Sequence, residues 1–336
     1  MRALVTGGAG YVGGFCSRQL AANGHDGTVL DNLSEGHPEA APSGSLVTGD
    51  IVDTSLLASL LREREIEVVI HFAASCYVGE SMIDPRKSYR NTVAKRLSLL
   101  EPLLDTGVKQ LLFSSSCSVY GTRGDQLLSE ALDPAPKNTY AFTKLAIETM
   151  IRDFARAYGL RFALLRYFNA AGATADGSHG EHHEPETHLI PLAIQTALGQ
   201  RKHLEVFGTD YDTADGSCIR DYVHVSDLAR AHETAALQLL PGNGPGELVC
   251  NLGSGTGTSV LELIQAIERV RGAELPLRLC ERRPGDPARL VADTRRAFAE
   301  LGWTPQYGSI EAIIETAWAW HQTHPDGYCR AASGVA

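Results

Sequence analysis

The chain has 336 residues, 43% of them apolar, which suits two unequal α/β lobes with buried cores and marks no segment as disordered. Its formal net charge of -10 excludes a protein that works by neutralising a nucleic-acid backbone, so local cations are expected to serve small anions. No run of about 18 apolar residues spans a membrane, no signal-peptide pattern opens the chain, and seven scattered cysteines without a C-x-x-C pair read as reduced thiols. A cytoplasmic protein is expected.

A β-rich run at 3–6 leads into Gly7-Gly8-Ala9-Gly10-Tyr11-Val12-Gly13 and a helix predicted over 11–23, with Gly24 suited to a left-handed C-cap. Further strands are predicted at 28–31, 46–48, 67–72, 110–114 and 161–166, with helical stretches between them. The 68–72 segment is apolar nearly throughout, as in a parallel sheet covered on both faces. This alternation predicts an α/β fold with a Rossmann-type doubly wound parallel sheet. We assign residues 1–171 to this Rossmann-type domain, with a returning segment near 222–252. Beyond 171 the rhythm breaks into a Gly-, His- and Glu-rich loop and shorter elements, so 172–336 is expected to be mainly a smaller α/β lobe for the substrate.

A glycine turn between strand and helix lets the backbone approach a pyrophosphate seated on the free amides of the helix N-terminus, which selects Gly7, Gly10, Tyr11 and Val12. The second strand ends in Asp31, followed by Asn32. A carboxylate there accepts ribose hydroxyls and repels a 2′-phosphate, so the expected cofactor is NAD. Asp50, Ile51, Phe72, Ala73 and Ala74 fall where strand ends meet a ligand in such sheets, although Asp50 also suits the cap of the next helix.

Tyr140 and Lys144 stand four apart in a helix-like stretch, 139–150, and so face the same side. A free phenol, with an ordinary pKa of about 10, becomes a base at neutral pH only beside positive charge, which Lys144 and an oxidised nicotinamide supply. Ser116, at the end of a strand, is placed to hydrogen-bond the substrate oxygen and relay its proton. His179, His182, His183 and His188, with glutamates between them, lack the tight ligand pairs of zinc sites, and no metal is expected. Cys117 has no neighbouring His in sequence and reads as a buried neutral thiol.

Thr6 to Gly13, Asp31-Asn32-Leu33, Phe113 to Gly121 and Tyr140-Ala141-Phe142-Thr143-Lys144 resemble UDP-galactose 4-epimerases of the extended short-chain dehydrogenase type. The likeness continues through Leu165 to Asn169, Glu186 to Pro191, Arg220 to His224 and Arg283-Pro284-Gly285-Asp286. It implies that Ser116, Tyr140 and Lys144 carry the chemistry and that Asn91, Ser114 and Phe168 join Tyr140 and Lys144 around NAD. It further implies that Asn169, His188, Leu189, Arg220, Arg283 and Asp286 hold a UDP-hexose, with Glu205-Val206-Phe207 at the uracil and Leu290 beside the C2 substituent of the sugar. A homodimer is implied too. The expected reaction is interconversion of UDP-glucose and UDP-galactose through a 4-keto sugar, with UDP-N-acetylglucosamine or UDP-pentose epimerisation as the alternative and UDP-glucuronate decarboxylation further off. A 4,6-dehydratase would carry Asp-Glu where Cys117-Ser118 stand, and an NAD-sensing regulator would have lost the Tyr-Lys pair. Departures from the pattern are Cys76 for a cofactor-contacting Lys, Gly14-Phe15 for Ser-His, and Lys95-Arg96 for Gly-Thr. The first two are expected to loosen NAD binding, and the last, on a helix that the family uses for dimerisation, weakens the inference of a homodimer.

Overall fold

The computed structural model describes residues 1–72, 78–283 and 286–328. In its first half β1 (Arg2–Thr6), α1 (Tyr11–Ala22), β2 (Asp26–Asp31), β3 (Leu46–Thr48), α2 (Thr54–Glu63) and β4 (Val68–His71) precede α3 (Val78–Ile83), α4 (Pro85–Ser88) and α5 (Leu97–Thr106). They are followed by β5 (Gln110–Ser116), α6 (Thr139–Tyr158), β6 (Arg161–Tyr167) and β7 (Asn169–Ala171). The rest comprises α7 (Leu189–Ala197), β8 (Leu204–Phe207), β9 (Ile219–Arg220), β10 (Tyr222–His224), α8 (Val225–Leu239), β11 (Glu247–Leu252) and β12 (Thr258–Ser259). It closes with α9 (Val260–Arg271), β13 (Leu277–Cys280), β14 (Arg289–Leu290), α10 (Arg295–Leu301) and α11 (Ile310–Thr323).

Seven strands form one parallel sheet in the order β11-β6-β5-β4-β1-β2-β3. Alternate residues of each strand feed opposite faces, because successive side chains point opposite ways. Ala3 and Val5 pack with Cys16 and Leu20 of α1 and Leu228, Ala231 and Ala235 of α8. Leu4, Val69 and Phe113 pack with Leu57 of α2, Leu99 of α5 and Ile147 of α6. Strand order reverses between β1 and β4, which opens a crevice at the C-terminal strand ends where ligands settle in such sheets.

After β7 the chain builds a separate core from Ile190 and Ile194 of α7, Leu263 and Ile267 of α9 and Ile314 of α11, around three small sheets. Two excursions tie this part to the main sheet. β11 pairs with β6 from Glu247↔Phe162 to Leu252↔Tyr167, and α8 covers a face beside α1. Among the described residues, no helix is long and apolar enough to cross a membrane.

Candidate active site

One cleft of about 470 Å³ runs along the crevice, within the size range of small-molecule sites. At one end it is lined by Gly7, Gly10, Tyr11, Val12, Asp31, Asn32, Asp50, Ile51, Phe72 and Asn91. A Cβ at Gly13 would stand 2.1 Å from the Gly7 carbonyl oxygen, so only glycine lets α1 begin this close to the turn. Gly10, the N-cap of α1, makes no side-chain cap bond, and the first amides are available to an anion. The Asp31 carboxylate accepts the amides of Ala9 at 3.0 Å and Leu33 at 2.9 Å, which fixes it and leaves acceptor capacity for ribose hydroxyls. These residues fit NAD.

Asp50 is not the cap of α2; Asp53 is, accepting the Leu56 amide at 2.9 Å. Asp50 instead accepts Asn32 Nδ2 at 2.8 Å and Lys95 Nζ at 2.9 Å. Partial burial opposes its charge, but the Lys95 and Asn32 hydrogen bonds outweigh it and hold the carboxyl below its ordinary value. Ala73, Ala74 and Cys76 lie outside the described residues.

Ser116 ends β5, and its Oγ accepts the Ser118 amide at 3.2 Å. Tyr140 occupies the first turn of α6, which Asn138 caps by accepting the Ala141 amide at 2.8 Å, and its own amide donates to Ser81 Oγ at 3.1 Å. Lys144, one turn on, is buried. Its Nζ donates to the Ser114 carbonyl at 3.1 Å and stands 5.7 Å from the centre of the Tyr140 ring. Ser116 and Tyr140 line the cleft, while Lys144 and Ser114 sit behind that wall. A desolvated ammonium beside a phenol favours the phenolate more than it would in water. Burial pushes the Cys117 thiol up to about 12, so it keeps its proton and is no nucleophile.

At the other end Phe168, Asn169, His188, Arg220 and Leu290 line the same cleft. Arg220 donates to Asp286 Oδ1 at 2.5 Å and to the Pro287 carbonyl at 2.9 Å. Asp286, Leu189, Glu205, Val206, Phe207 and Arg283 stand on neighbouring segments but do not line the cleft. Val206 is packed into the second core, and exposed Glu205 pairs with Arg278 across β8 and β13 at 3.5 Å. The Arg283 guanidinium lies 4.0 Å from the centre of the Phe207 ring, covering the face expected to stack on a base.

Several lining residues escaped sequence reasoning. Ser34, Glu35 and Gly36 come from the loop after β2, Tyr167 from the end of β6 and Ala170 from β7; a polar loop after a cofactor-binding acid is the local signal for the first group. Lys95 and Arg96 do not decorate the surface of α5. They precede it and turn into the cleft, Lys95 onto Asp50 and buried Arg96 onto His71 Nε2. Burial, then the Arg96 charge, pushes His71 well below its ordinary value, so the neutral ring accepts from Arg96 and its other nitrogen meets Thr6 Oγ1 at 2.5 Å. Both side chains therefore bear on the cofactor end of the cleft. Gly14 is also buried, where a Cβ would come within 3.0 Å of His179 Nε2; it makes room for that ring rather than meeting the cleft.

The loop before α7 contributes Glu181, His183 and His188 to the cleft wall. His188 Nδ1 lies 2.9 Å from Glu181 and 3.0 Å from Glu186, and His183 Nδ1 lies 3.3 Å from Glu181. Burial works against charge on His188, but the Glu181 carboxylate and its hydrogen bonds outweigh it and push the imidazole up to about 10.

Residues 3–253 match the model of the NAD dependent epimerase/dehydratase family. The chain belongs to that family. It is 46% identical to the UDP-glucose 4-epimerase of Halalkalibacterium halodurans, over 98% of each chain. The crystal structure of UDP-glucose 4-epimerase from Brucella ovis in complex with NAD is 47% identical, with a TM-score of 0.91 over 94% of this chain and 97% of that one. That of the Bifidobacterium longum enzyme in complex with NAD+ and UDP is 35% identical, with a TM-score of 0.92 over 98% of this chain and all of that one.

Proposed function

We propose that this protein is a UDP-glucose 4-epimerase, an isomerase that interconverts UDP-glucose and UDP-galactose with NAD as its resident cofactor. The observation that carries the reading is the position of Tyr140 and Ser116 on one cleft, between a dinucleotide cradle and Arg220, with the Lys144 ammonium behind the phenol. NAD, when bound, accepts hydride from C4 of the sugar and returns it to the opposite face. Tyr140 takes the 4-hydroxyl proton as the hydride leaves and gives it back as the hydride returns, and Ser116 holds the oxygen in the 4-keto state. Gly7, Gly10 and Asp31 hold the cofactor. Arg220 and Asn169 hold the UDP portion, so the hexose itself is weakly held and can present either face.

Proton NMR of UDP-glucose incubated with purified protein is expected to show UDP-galactose appearing without net oxidation. Denatured protein is expected to release NAD on chromatography, because the reduced form must stay bound until hydride goes back. No sugar inversion, even with NAD added, would reject the reading.

We also propose a homodimer in the cytoplasm. Exposed Leu97 on α5 and Phe142 on α6 offer apolar surface to a second copy, and the buried thiols of Cys16, Cys117, Cys218 and Cys250 suit a reducing compartment. A monomeric mass in sedimentation would remove the first of these.

Leu290, half-buried on β14 opposite Arg220, is intermediate in volume between a small residue and Tyr. UDP-N-acetylglucosamine is therefore expected to turn over measurably but more slowly than UDP-glucose. An apolar wall discriminates by about 1 to 3 kcal/mol, so Leu290→Ala should raise the relative kcat/KM for the N-acetyl sugar and Leu290→Tyr lower it. If the ratio moves less than about threefold in both variants, under about 1 kcal/mol, Leu290 does not gate the pocket.

A further inference from the structure

The loop that enters α7 carries Glu181, His183, Glu186 and His188, and one donor atom from each lies within 4.8 Å of all the others. Both imidazoles place Nδ1 near both carboxylates. The separations are 2.9 and 3.0 Å for His188, and 3.3 and 3.7 Å for His183. Four donors about 2.0 to 2.2 Å from a tetrahedral zinc ion would stand about 3.4 Å apart, and the His–carboxylate separations, His188 to Glu186 Oε1 and His183 to Glu186 Oε2 among them, fall on either side of that edge. The donors come from four residues within eight positions, and hydrogen bonds from within and outside the loop fix their placement. Trp320 Nε1 donates to the Glu181 carbonyl at 3.0 Å, and the Thr187 and His188 amides hold Glu186 Oε1 at 2.7 and 2.8 Å.

Charge points the same way. The Glu181 and Glu186 side chains are only 6% and 7% exposed, and among the described residues neither pairs with a Lys or Arg. In the metal-free loop His188, held protonated between these carboxylates, offsets only one of the two charges. A divalent cation would displace that proton and offset both, leaving two neutral imidazoles and a site with no net charge.

We propose that Glu181, His183, Glu186 and His188 form a closed binding site for one divalent transition-metal ion, zinc by donor chemistry, which pins the loop walling the cleft. Two nitrogens and two carboxylate oxygens are a zinc set, whereas magnesium and calcium take oxygen shells. Four protein ligands leave no open position, so the ion is structural. It joins Glu181 and His183, next to Tyr11, with His188 at the mouth of α7. The outcome does not depend on which sugar the cleft takes.

The test is metal stoichiometry on tag-free, full-length protein, stripped with chelator, incubated with excess zinc and desalted, then read by mass spectrometry of the metal. About one zinc per chain is expected in wild type. Glu186→Gln and His188→Gln, which keep side-chain size, should each retain at least about tenfold less after the same desalting. Cobalt in place of zinc should give visible absorption of tetrahedral intensity that both variants lose, and excess magnesium should displace neither metal. Circular dichroism on each variant establishes that it is folded. No zinc retained by wild type would overturn the site in favour of a metal-free cluster of ion pairs. Undiminished zinc in folded variants would overturn it by placing the metal on other histidines.

Discussion

Tyr140→Phe is expected to lower kcat at least about 10²-fold while leaving affinity for UDP nearly unchanged, the scale for losing positioned acid-base assistance. The substitution removes one hydroxyl and keeps the ring, so the first turn of α6, held by Asn138 and by the bond from the Tyr140 amide to Ser81, is preserved. Because the proton leaves O4 only as hydride departs, the loss falls on the transition state, and kcat and kcat/KM should drop together. Ser116→Ala should cost less, since Ser116 orients the oxygen and the phenol still reaches the proton. Steady-state kinetics with UDP-glucose and calorimetry with UDP separate the effects. Wild-type turnover in Tyr140→Phe would reject the assignment, and a larger loss from Ser116→Ala would exchange the two roles.

Glu148→Gln is expected to remove about 3 to 5 kcal/mol of stability, the cost of breaking a buried ion pair on one side only. Glu148 lies on α6 two turns beyond Tyr140, and Arg166 lies on β6. Their side chains are 1% and 4% exposed, so water does not screen the pair. Arg166 Nε and Nη2 meet the two carboxylate oxygens at 2.9 and 2.5 Å in a fork, and Ser115 donates to Oε1 at 2.6 Å. Arg166 also donates to Tyr120 Oη at 3.0 Å, and that hydroxyl donates to Asn251 at 2.7 Å, so one network joins α6, β5, β6 and β11 beneath the catalytic residues. A carboxamide leaves the guanidinium buried without its counter-charge. Urea unfolding should show the midpoint fall, and the double variant Glu148→Leu with Arg166→Met should recover much of the loss because both charges are then gone. A loss below about 1 kcal/mol in the single variant would mean that water or another group compensates Arg166.

The sheet, the glycine turn and the Tyr140-Lys144 pair were legible in the sequence, because each is written in short-range periodicity. Strands alternate with helices, Gly13 meets Gly7 six positions away, and residues four apart share a helix face. NAD preference was legible at Asp31 for the same reason, one acid at the end of one strand. Local pattern carries no information about partners packed from distant segments. Arg96 turns inward because Thr6 and His71, on β1 and β4, present a buried acceptor to it. The Val206 side chain points into the second core because α7, α9 and α11 close over β8, and Arg283 covers Phe207 across the β8–β13 sheet. The histidine-glutamate loop shows both sides. Its residues are near neighbours in sequence, yet their spacing gave no reason to expect a metal, whereas Trp320, 139 residues on, helps to fold the loop so that two imidazoles face two carboxylates. Tertiary structure decided that convergence, because a donor set is defined by directions in space, and those are set by the elements packed behind the loop.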